Sequence, residues 1–157
     1  MSKPLPSTRD QMPYLDKIGV LSALAIAKSQ QDIQRTMEIY HPRVVLETPS
    51  FDSVGKGREQ VQRHLHGWFT RFPDYSVKLN KVVPVDDGKL ASWGYISLTL
   101  TGEFSGKRPN GERARVPVFI LVDFADGMIV YEQFLFDLAS VCRQCGLSAD
   151  VLMPVGK

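Results

Sequence analysis

The segment ERARVPVFILVDFADGMIVYEQFLFD (112–137) decides the fold class of this chain. Two stretches within it, 112–124 and 128–137, are rich in β-branched and aromatic residues, and ADG between them signals a tight turn. These two strands therefore pair as an antiparallel hairpin. A sheet with one wet face should alternate apolar and polar residues cleanly, and these strands do not. We therefore expect helices on one face of the sheet and a second subunit on the other.

Two further strands precede this hairpin. YSVKLNKVVPVD (75–86) runs into the turn signal DG, and KLASWGYISLTLTGEF (89–104) follows it. Together with the hairpin they form an antiparallel meander of four strands. VVLETP (44–49) is predicted to be a short additional strand, and SFDSVGKG after it a loop.

Helical patterns fill the first half of the chain. Apolar residues recur at helical spacing in three segments, 14–30, 31–41 and 57–72. Pro42 is expected to stop the second of them. A short terminal helix, LASVCRQCG, follows Asp137. Helices first and strands afterwards indicate an α+β fold.

Size and composition predict one globular domain. The chain has 157 residues, of which 43% are apolar and 23% charged. We place the domain at 14–150, with an N-terminal arm at 1–13 and a tail at 151–157. The net charge is +2, from nineteen basic and seventeen acidic residues, which is too even to favour nucleic acid or an anionic membrane as partner. No apolar run has transmembrane length and no secretory signal is present, so we expect a cytoplasmic protein.

The two cysteines, Cys142 and Cys145, are spaced as CRQC. A redox pair of this kind normally opens a helix that follows a strand. Here the motif lies towards the end of the predicted terminal helix, where the helix dipole does not favour a thiolate. We therefore interpret both as ordinary helix cysteines.

Asp137 stands between Phe136 and Leu138 at the end of the last strand. An ionised carboxylate in apolar surroundings is costly unless it is paired. One interpretation is that Asp137 caps the terminal helix. The other is that it is an acid or base at the mouth of a pocket. Both can hold at once.

Three motifs in chain order resemble the SnoaL-like polyketide cyclase family, whose fold is the nuclear-transport-factor-two-like cone. They are GREQVQRHLHGWFTRFPDYSV (57–77), GEFSGKRPNGERARVPVFILVDFADGMIVYEQ (102–133) and FDLASVCRQCGLS (136–148). The resemblance implies a cone-shaped α+β barrel. Three N-terminal helices would pack on a curved antiparallel sheet, with a short C-terminal helix after it. It also implies that no metal or organic cofactor is needed.

The resemblance assigns the acid/base role to Asp137, because the family carries an aspartate at this position. Phe136 and Leu138 replace the tryptophan and glutamine usual in the family, a departure that bears on how the acid is oriented. The expected function is a cofactor-independent cyclase or isomerase acting on a polyketide-like or other carbonyl compound. The alternative is a small-molecule-binding or dimerisation module without turnover.

Two other enzyme classes use the same cone. Ketosteroid isomerases need a base where this chain has Thr48. Limonene-epoxide-hydrolase chemistry needs two acids and an arginine, and no second acid beside Asp137 is evident. Both alternatives are therefore weaker.

His64 and Glu47 are the candidate partners of Asp137. His64 shares the buried face of the third helix with Val61, although a lone inward histidine is more often a core group. Glu47 lies on the short strand and could instead be an edge charge. The residues expected to bind a hydrophobic small molecule are Trp68, Trp93, Tyr95, Phe119, Gln133 and Leu135. Core or interface packing is the alternative for these side chains.

Overall fold

The structure, a computed structural model, describes residues 12–86 and 88–151. Its helices are α1 (Tyr14–Ser29), α2 (Ile33–Ile39), α3 (Gly57–Arg71) and α4 (Leu138–Gln144). Its strands are β1 (Tyr40–Thr48), β2 (Ser53–Lys56), β3 (Ser76–Pro84), β4 (Lys89–Thr99), β5 (Arg113–Ala125) and β6 (Met128–Phe136). Pro49–Phe51 and Ala149–Val151 form 3-10 turns. The predicted arm at 1–13 lies almost wholly outside the described residues, as does most of the predicted tail at 151–157.

The strands form one six-stranded sheet in the order β2-β1-β6-β5-β4-β3. The predicted meander from β3 to β6 is confirmed, as is the α+β class. The sheet is mixed, because β1 pairs in parallel with β6 and antiparallel with β2. The predicted loop SFDSVGKG contains β2, which sequence reasoning missed because four residues are too few to show a period. Pro42 lies within β1 rather than at a helix end.

Helices cover the inner face of the sheet and close the core. On α1, Leu21 and Leu24 are buried at helical spacing, and on α3 the buried stripe is Val61, Leu65 and Phe69. Alternate residues of β4 and β5 meet them, since successive side chains of a strand point to opposite faces. Burying each large apolar side chain contributes roughly 1.5–3 kcal/mol. Across the described residues, no helix combines the length and apolar character needed to cross a membrane.

The outer face of the sheet carries an exposed apolar row. Trp93, Phe119 and Leu135 lie directly opposite one another on β4, β5 and β6. Their exposed fractions are 37%, 55% and 40%. We call these three residues the outer row. The expectation that both faces of the sheet carry apolar residues is therefore met. That a second subunit covers the outer face stays a prediction.

A register shift in the hairpin between β5 and β6 changes which residues of β6 point inward. Asp123 pairs with Tyr131, but Phe124 pairs with Ile129, so the pairing skips a residue. Ile129 and Glu132 are consequently both fully buried, at 0% exposure, although their positions differ by an odd number. Strict alternation along β6 would place Ile129 on the same face as Tyr131, but the bulge exchanges the faces of the strand.

Candidate active site

A cavity of 340 Å³ lies between α3 and the inner face of the sheet. It is lined by Lys28, Leu46, Thr48, Phe51, Ser53, His64, Leu65, Gly67, Trp68, Phe69, Arg71, Phe72, Tyr75 and Phe134. The residues that line the cavity are exposed at one end and buried at the other. His64 and Arg71 are exposed and mark the mouth, whereas Lys28, Tyr75 and Phe134 are buried and mark the floor. A bound molecule would therefore lie with one end near each set.

Trp68 is the centre of an aromatic wall along the cavity. The ring centroids around it lie 4.7 Å away for Phe72, 5.5 Å for Tyr75, 5.8 Å for Phe51, 5.9 Å for Phe136 and 6.0 Å for Phe134. These contacts are edge-to-face, which aromatic quadrupoles favour. Such a wall suits a flat apolar molecule.

A buried ion pair closes the floor. Lys28 Nζ donates to both carboxylate oxygens of Glu132, at 2.9 and 2.7 Å. The Tyr40 hydroxyl donates to Glu132 Oε1 at 2.6 Å. A buried carboxylate is costly without such partners, so removing any one of the three side chains would destabilise the others.

Two tyrosine hydroxyls near Glu132 keep their protons. Burial raises the pKa of Tyr40 well above its ordinary value, and the charge of Glu132 and its hydrogen bond raise that pKa further. Burial also raises the pKa of Tyr75, again reinforced by repulsion from Glu132. Tyr75 lines the cavity and Tyr40 does not. Tyr75 therefore offers the cavity a hydroxyl.

His64 is placed at the mouth by α3 and β2. It lies one helical turn before Trp68, so both side chains project to the same side of α3. Its Nδ1 is 3.5 Å from Ser53 Oγ on β2. Gly55 makes room for the ring, since a Cβ at that position would be only 3.0 Å from Nδ1. Histidine is the side chain that most readily exchanges a proton near neutral pH.

Asp137 and Glu47 lie away from the cavity. The exposed carboxylate of Asp137 accepts a hydrogen bond from the backbone N–H of Ser140 at 3.0 Å and so caps α4. Glu47 points from the outer face of β1, where its Oε2 accepts bonds from Tyr131 at 2.9 Å and Gln133 at 3.3 Å. The structure thus brings His64 to the cavity and does not bring either carboxylate to it.

Of the predicted ligand-binding side chains, Trp68 lines the cavity. The expectation needs correction for the five others, Trp93, Tyr95, Phe119, Gln133 and Leu135, which lie on the outer face. The reason is the strand period: the alternate residues Ser92, Ile120 and Phe134 occupy the inner positions. The sequence showed that both faces were apolar but not which one faces the helices.

The ion pair at the floor was missed by sequence reasoning, although a signal existed. Lys28 follows Leu21 and Leu24 at helical spacing, which places it on the buried stripe of α1. Glu132 stands two residues before Phe134 in an otherwise uncharged strand. Opposite charges on two faces that are both predicted to be buried indicate a pair.

Among the described residues, neither the cysteines nor a metal cluster provides a second candidate site. Cys142 and Cys145 are free and buried, and burial raises the pKa of each thiol. Within residues 12–86 and 88–151, no group of three or more His, Cys, Asp or Glu side chains is placed to hold a metal ion.

Comparison with solved structures supports the cone fold. A protein of Catenulispora acidiphila DSM 44928 with a ketosteroid isomerase-like fold, in complex with trimethylamine, has a TM-score of 0.74 at 18% identity, covering 83% of this chain and 95% of its own. A predicted SnoaL-like polyketide cyclase of Jannaschia Sp. CCS1 has a TM-score of 0.72 at 20% identity, covering 87% and 96%. IdmH of Streptomyces antibioticus, a predicted polyketide cyclase, has a TM-score of 0.71 at 20% identity, covering 83% and 98%. Likeness at these identities shows the fold alone.

The family is shown by the sequence itself. No curated protein matches the chain. A family model does match, over residues 19–145, and this span includes α3, the meander and the whole of α4. The chain therefore belongs to the SnoaL-like polyketide cyclase family.

Proposed function

We propose that the protein is a cofactor-independent cyclase or isomerase that acts on an apolar carbonyl compound held in the cavity. The observation that carries this proposal is an aromatic-walled cavity with a histidine at its mouth and hydrogen-bond donors at its floor. A largely apolar pocket with a few convergent polar groups is what small-molecule sites usually present.

His64 is the proposed acid/base. It would take a proton from the carbon between two carbonyl groups and leave an enolate. In a cyclisation, the enolate carbon then attacks the carbon of a further carbonyl group in the same molecule and a C–C bond forms. The oxygen of that carbonyl becomes an alkoxide, which takes the proton back from His64. In an isomerisation, the proton returns to a different atom. No electrons leave the substrate in either case, so no redox partner enters the reaction.

Deuterium exchange into 2-tetralone tests this role without knowledge of the natural substrate. The protein should accelerate exchange at the carbon beside the ketone, followed by NMR in D₂O. His64→Gln should lower the accelerated rate by roughly 100-fold or more, the usual size of a general acid–base contribution. His66→Gln is the matched control, because His66 lies exposed on the same helix and does not line the cavity. Equal rates in the two variants would refute the assignment.

A binding module without turnover is the second candidate. The observation in its favour is that Asp137, the acid expected from the family resemblance, caps α4 instead of lining the cavity. Binding can be measured through Trp68, one of two tryptophans in the chain. In a Trp93→Phe background, quenching of fluorescence by 2-tetralone reports the cavity alone. Quenching without accelerated deuterium exchange would establish the binding module.

We also propose that the protein is a homodimer joined through the outer face of the sheet. The outer row is apolar and exposed in the monomer, and large apolar side chains seldom stay exposed together unless they form an interface. Arg115 stacks on Tyr95 at 3.8 Å beside the row, and Lys81 lies over Trp93 at 5.6 Å. Basic groups surrounding an apolar centre match the usual anatomy of an interface.

A further inference from the structure

The ion pair at the floor presents its positive end to the cavity. Lys28 lines the cavity, whereas Glu132 and Tyr40, which hold it in place, do not. Glu132 is 0% exposed, and its carboxylate accepts bonds from both Lys28 and Tyr40. A molecule in the cavity therefore meets the ammonium before the carboxylate.

One donor of that ammonium remains unused. Lysine has three N–H donors. Within the part of the chain that the structure describes, the two oxygens of Glu132 are the hydrogen-bond acceptors of Lys28 Nζ. The rings of Tyr40 and Phe134 lie 5.7 and 5.6 Å from Nζ and help to hold the charge. The third N–H is available to a ligand.

Tyr75 supplies a second donor at the floor. Its ring is 1% exposed and lines the cavity. Among residues 12–86 and 88–151, its hydroxyl makes no hydrogen bond to another side chain or backbone group. Repulsion from Glu132 adds to burial in raising its pKa, so the group is a neutral O–H donor.

Arg71, the other permanently charged residue of the lining, has the same sign as Lys28. Arg71 and His64 stand at the mouth, and the described lining contains no aspartate or glutamate. A cleft lined by one sign of charge concentrates ligands of the opposite sign.

We propose that the floor is an oxyanion subsite in which Lys28 Nζ–H and Tyr75 O–H bind a negatively charged oxygen of an apolar ligand. Enolates, phenolates and carboxylates share this chemistry. The inference deepens the proposed function and rests on its claim that the cavity holds the ligand. In that reaction the bound oxygen would be a carbonyl oxygen at the inner end of the molecule, conjugated with the enolate that forms when His64 removes a proton, so that it takes up part of the negative charge. Donors fixed in advance at such an oxygen are among the strongest contributors to catalysis.

Three probes of one shape test the charge preference of the subsite. They are tetralin-2-carboxylate (anion), 2-tetralone (neutral) and 2-aminotetralin (cation), measured at pH 7 by quenching of Trp68 in the Trp93→Phe background. We expect the anion to bind at least about 10-fold more tightly than the cation, the size of one hydrogen bond to a charged group. Binding by the cation as tight as that of the anion would overturn the subsite.

Two variants locate the preference. Tyr75→Phe should weaken binding of the carboxylate by roughly 10-fold and leave 2-tetralone within about threefold. The double variant Lys28→Met with Glu132→Leu removes both charges and keeps the volume, a change that buried ion pairs often tolerate. It should abolish the preference for the anion over the cation. Arg71→Gln is the control, because it removes a positive charge at the mouth and should leave most of the preference intact.

The outcomes separate this inference from the proposed function. If no probe quenches Trp68, the cavity is not a ligand site and both proposals fail. If 2-tetralone binds but the protein does not bind the anion more tightly than the cation, the subsite alone fails. The subsite also fails if Arg71→Gln abolishes the preference for the anion while Tyr75→Phe leaves it unchanged. Even if the double variant does not fold, the relative affinities of the wild-type protein for the anionic and cationic probes decide whether the subsite exists.

Discussion

Glu132 and Glu47 are the same residue type on neighbouring, paired strands of one sheet, yet their environments are opposite. Glu132 points to the inner face, is fully buried, and holds the ammonium of Lys28. Glu47 points to the outer face, is half-buried, and accepts bonds from two neutral side chains on β6. Leu46 pairs with Glu132 and Glu47 pairs with Gln133, so the two glutamates occupy adjacent positions along the paired strands and point to opposite faces of the sheet.

The difference shows that the two faces of this sheet serve different purposes. The inner face forms the core, and its polar cluster of Lys28, Glu132 and Tyr40 adjoins the cavity through Lys28. The outer face offers exposed rings and half-exposed polar groups, which suits contact with another protein surface. The carboxylate on the inner face is therefore joined to a side chain that lines the cavity, whereas the one on the outer face belongs to a partly exposed surface.

The largest effect is expected from Glu132→Leu. The change leaves the Lys28 ammonium buried without a partner, so the free energy of unfolding should fall by about 3–5 kcal/mol. Glu47→Leu, on the outer face, should cost about 1 kcal/mol, since it removes hydrogen bonds to neutral donors only. Urea denaturation of both variants measures the contrast. Similar losses would show that the two faces are energetically equivalent.

Phe119→Glu should have the next largest effect, on association. It places a charge in the middle of the outer row of each subunit and removes from each an apolar side chain worth about 2 kcal/mol of burial. A symmetric dimer loses this contribution twice, so it should dissociate roughly 1,000-fold more readily. Ile26→Glu is the control, because Ile26 is 58% exposed on α1, in the helical layer. Sedimentation across micromolar concentrations gives both constants. A wild-type monomer throughout that range would remove the outer face from consideration as a dimer interface.

Asp137→Ala should cost about 1 kcal/mol of stability through loss of the cap on α4, and Asp137→Asn much less, because asparagine caps well. With His64 as the acid/base, both variants should retain most of the rate of deuterium exchange. Thermal melting and the 2-tetralone exchange rate are measured together. A loss of about 100-fold in Asp137→Asn, with unchanged melting, would return the acid/base role to Asp137, as the family resemblance implies.

The smallest effect concerns Asp74, at the entry to β3. Burial raises the pKa of its carboxyl, but hydrogen bonds from Thr99 at 2.9 and 2.6 Å, together with the charge of Arg113, outweigh it and lower the pKa overall. A folded-state pKa below the unfolded one stabilises the protein above the unfolded pKa, and this contribution is lost as the pH falls through the folded pKa. The carboxylate is partly exposed, so the ionic part should be about 0.5 kcal/mol.

Urea denaturation of wild type and Asp74→Asn at pH 7 and pH 3 measures this contribution. The stability difference between the two proteins should shrink at the lower pH. A difference that stayed constant would assign the role of Asp74 to hydrogen bonding alone.

Part of the site was within reach of local patterns. The helical stripe of α3 predicted an inward-facing His64, and Trp68 was among the residues expected to bind a ligand; both line the cavity. The cap formed by Asp137 was one of two interpretations that the sequence left open. The positions that failed, such as Trp93 and Phe119, depended on which face of the sheet meets the helices. That choice is not local, because a strand with two apolar faces has no preferred inner side until the helices pack.

By itself, the sequence determined the α+β class, the meander and the family, since these rest on turn signals, apolar periods and motifs within short segments. Tertiary structure alone decided the parallel pairing of β1 with β6, the face of each strand, and the meeting of Lys28 with Glu132, which are 104 positions apart in the chain. The physical reason is that a buried charge is stable only beside a partner of opposite charge, and the partner is supplied by another part of the fold. The bulge in β6 turns Glu132 inward, and only the packing of α1 on the sheet supplies the ammonium that makes its burial affordable.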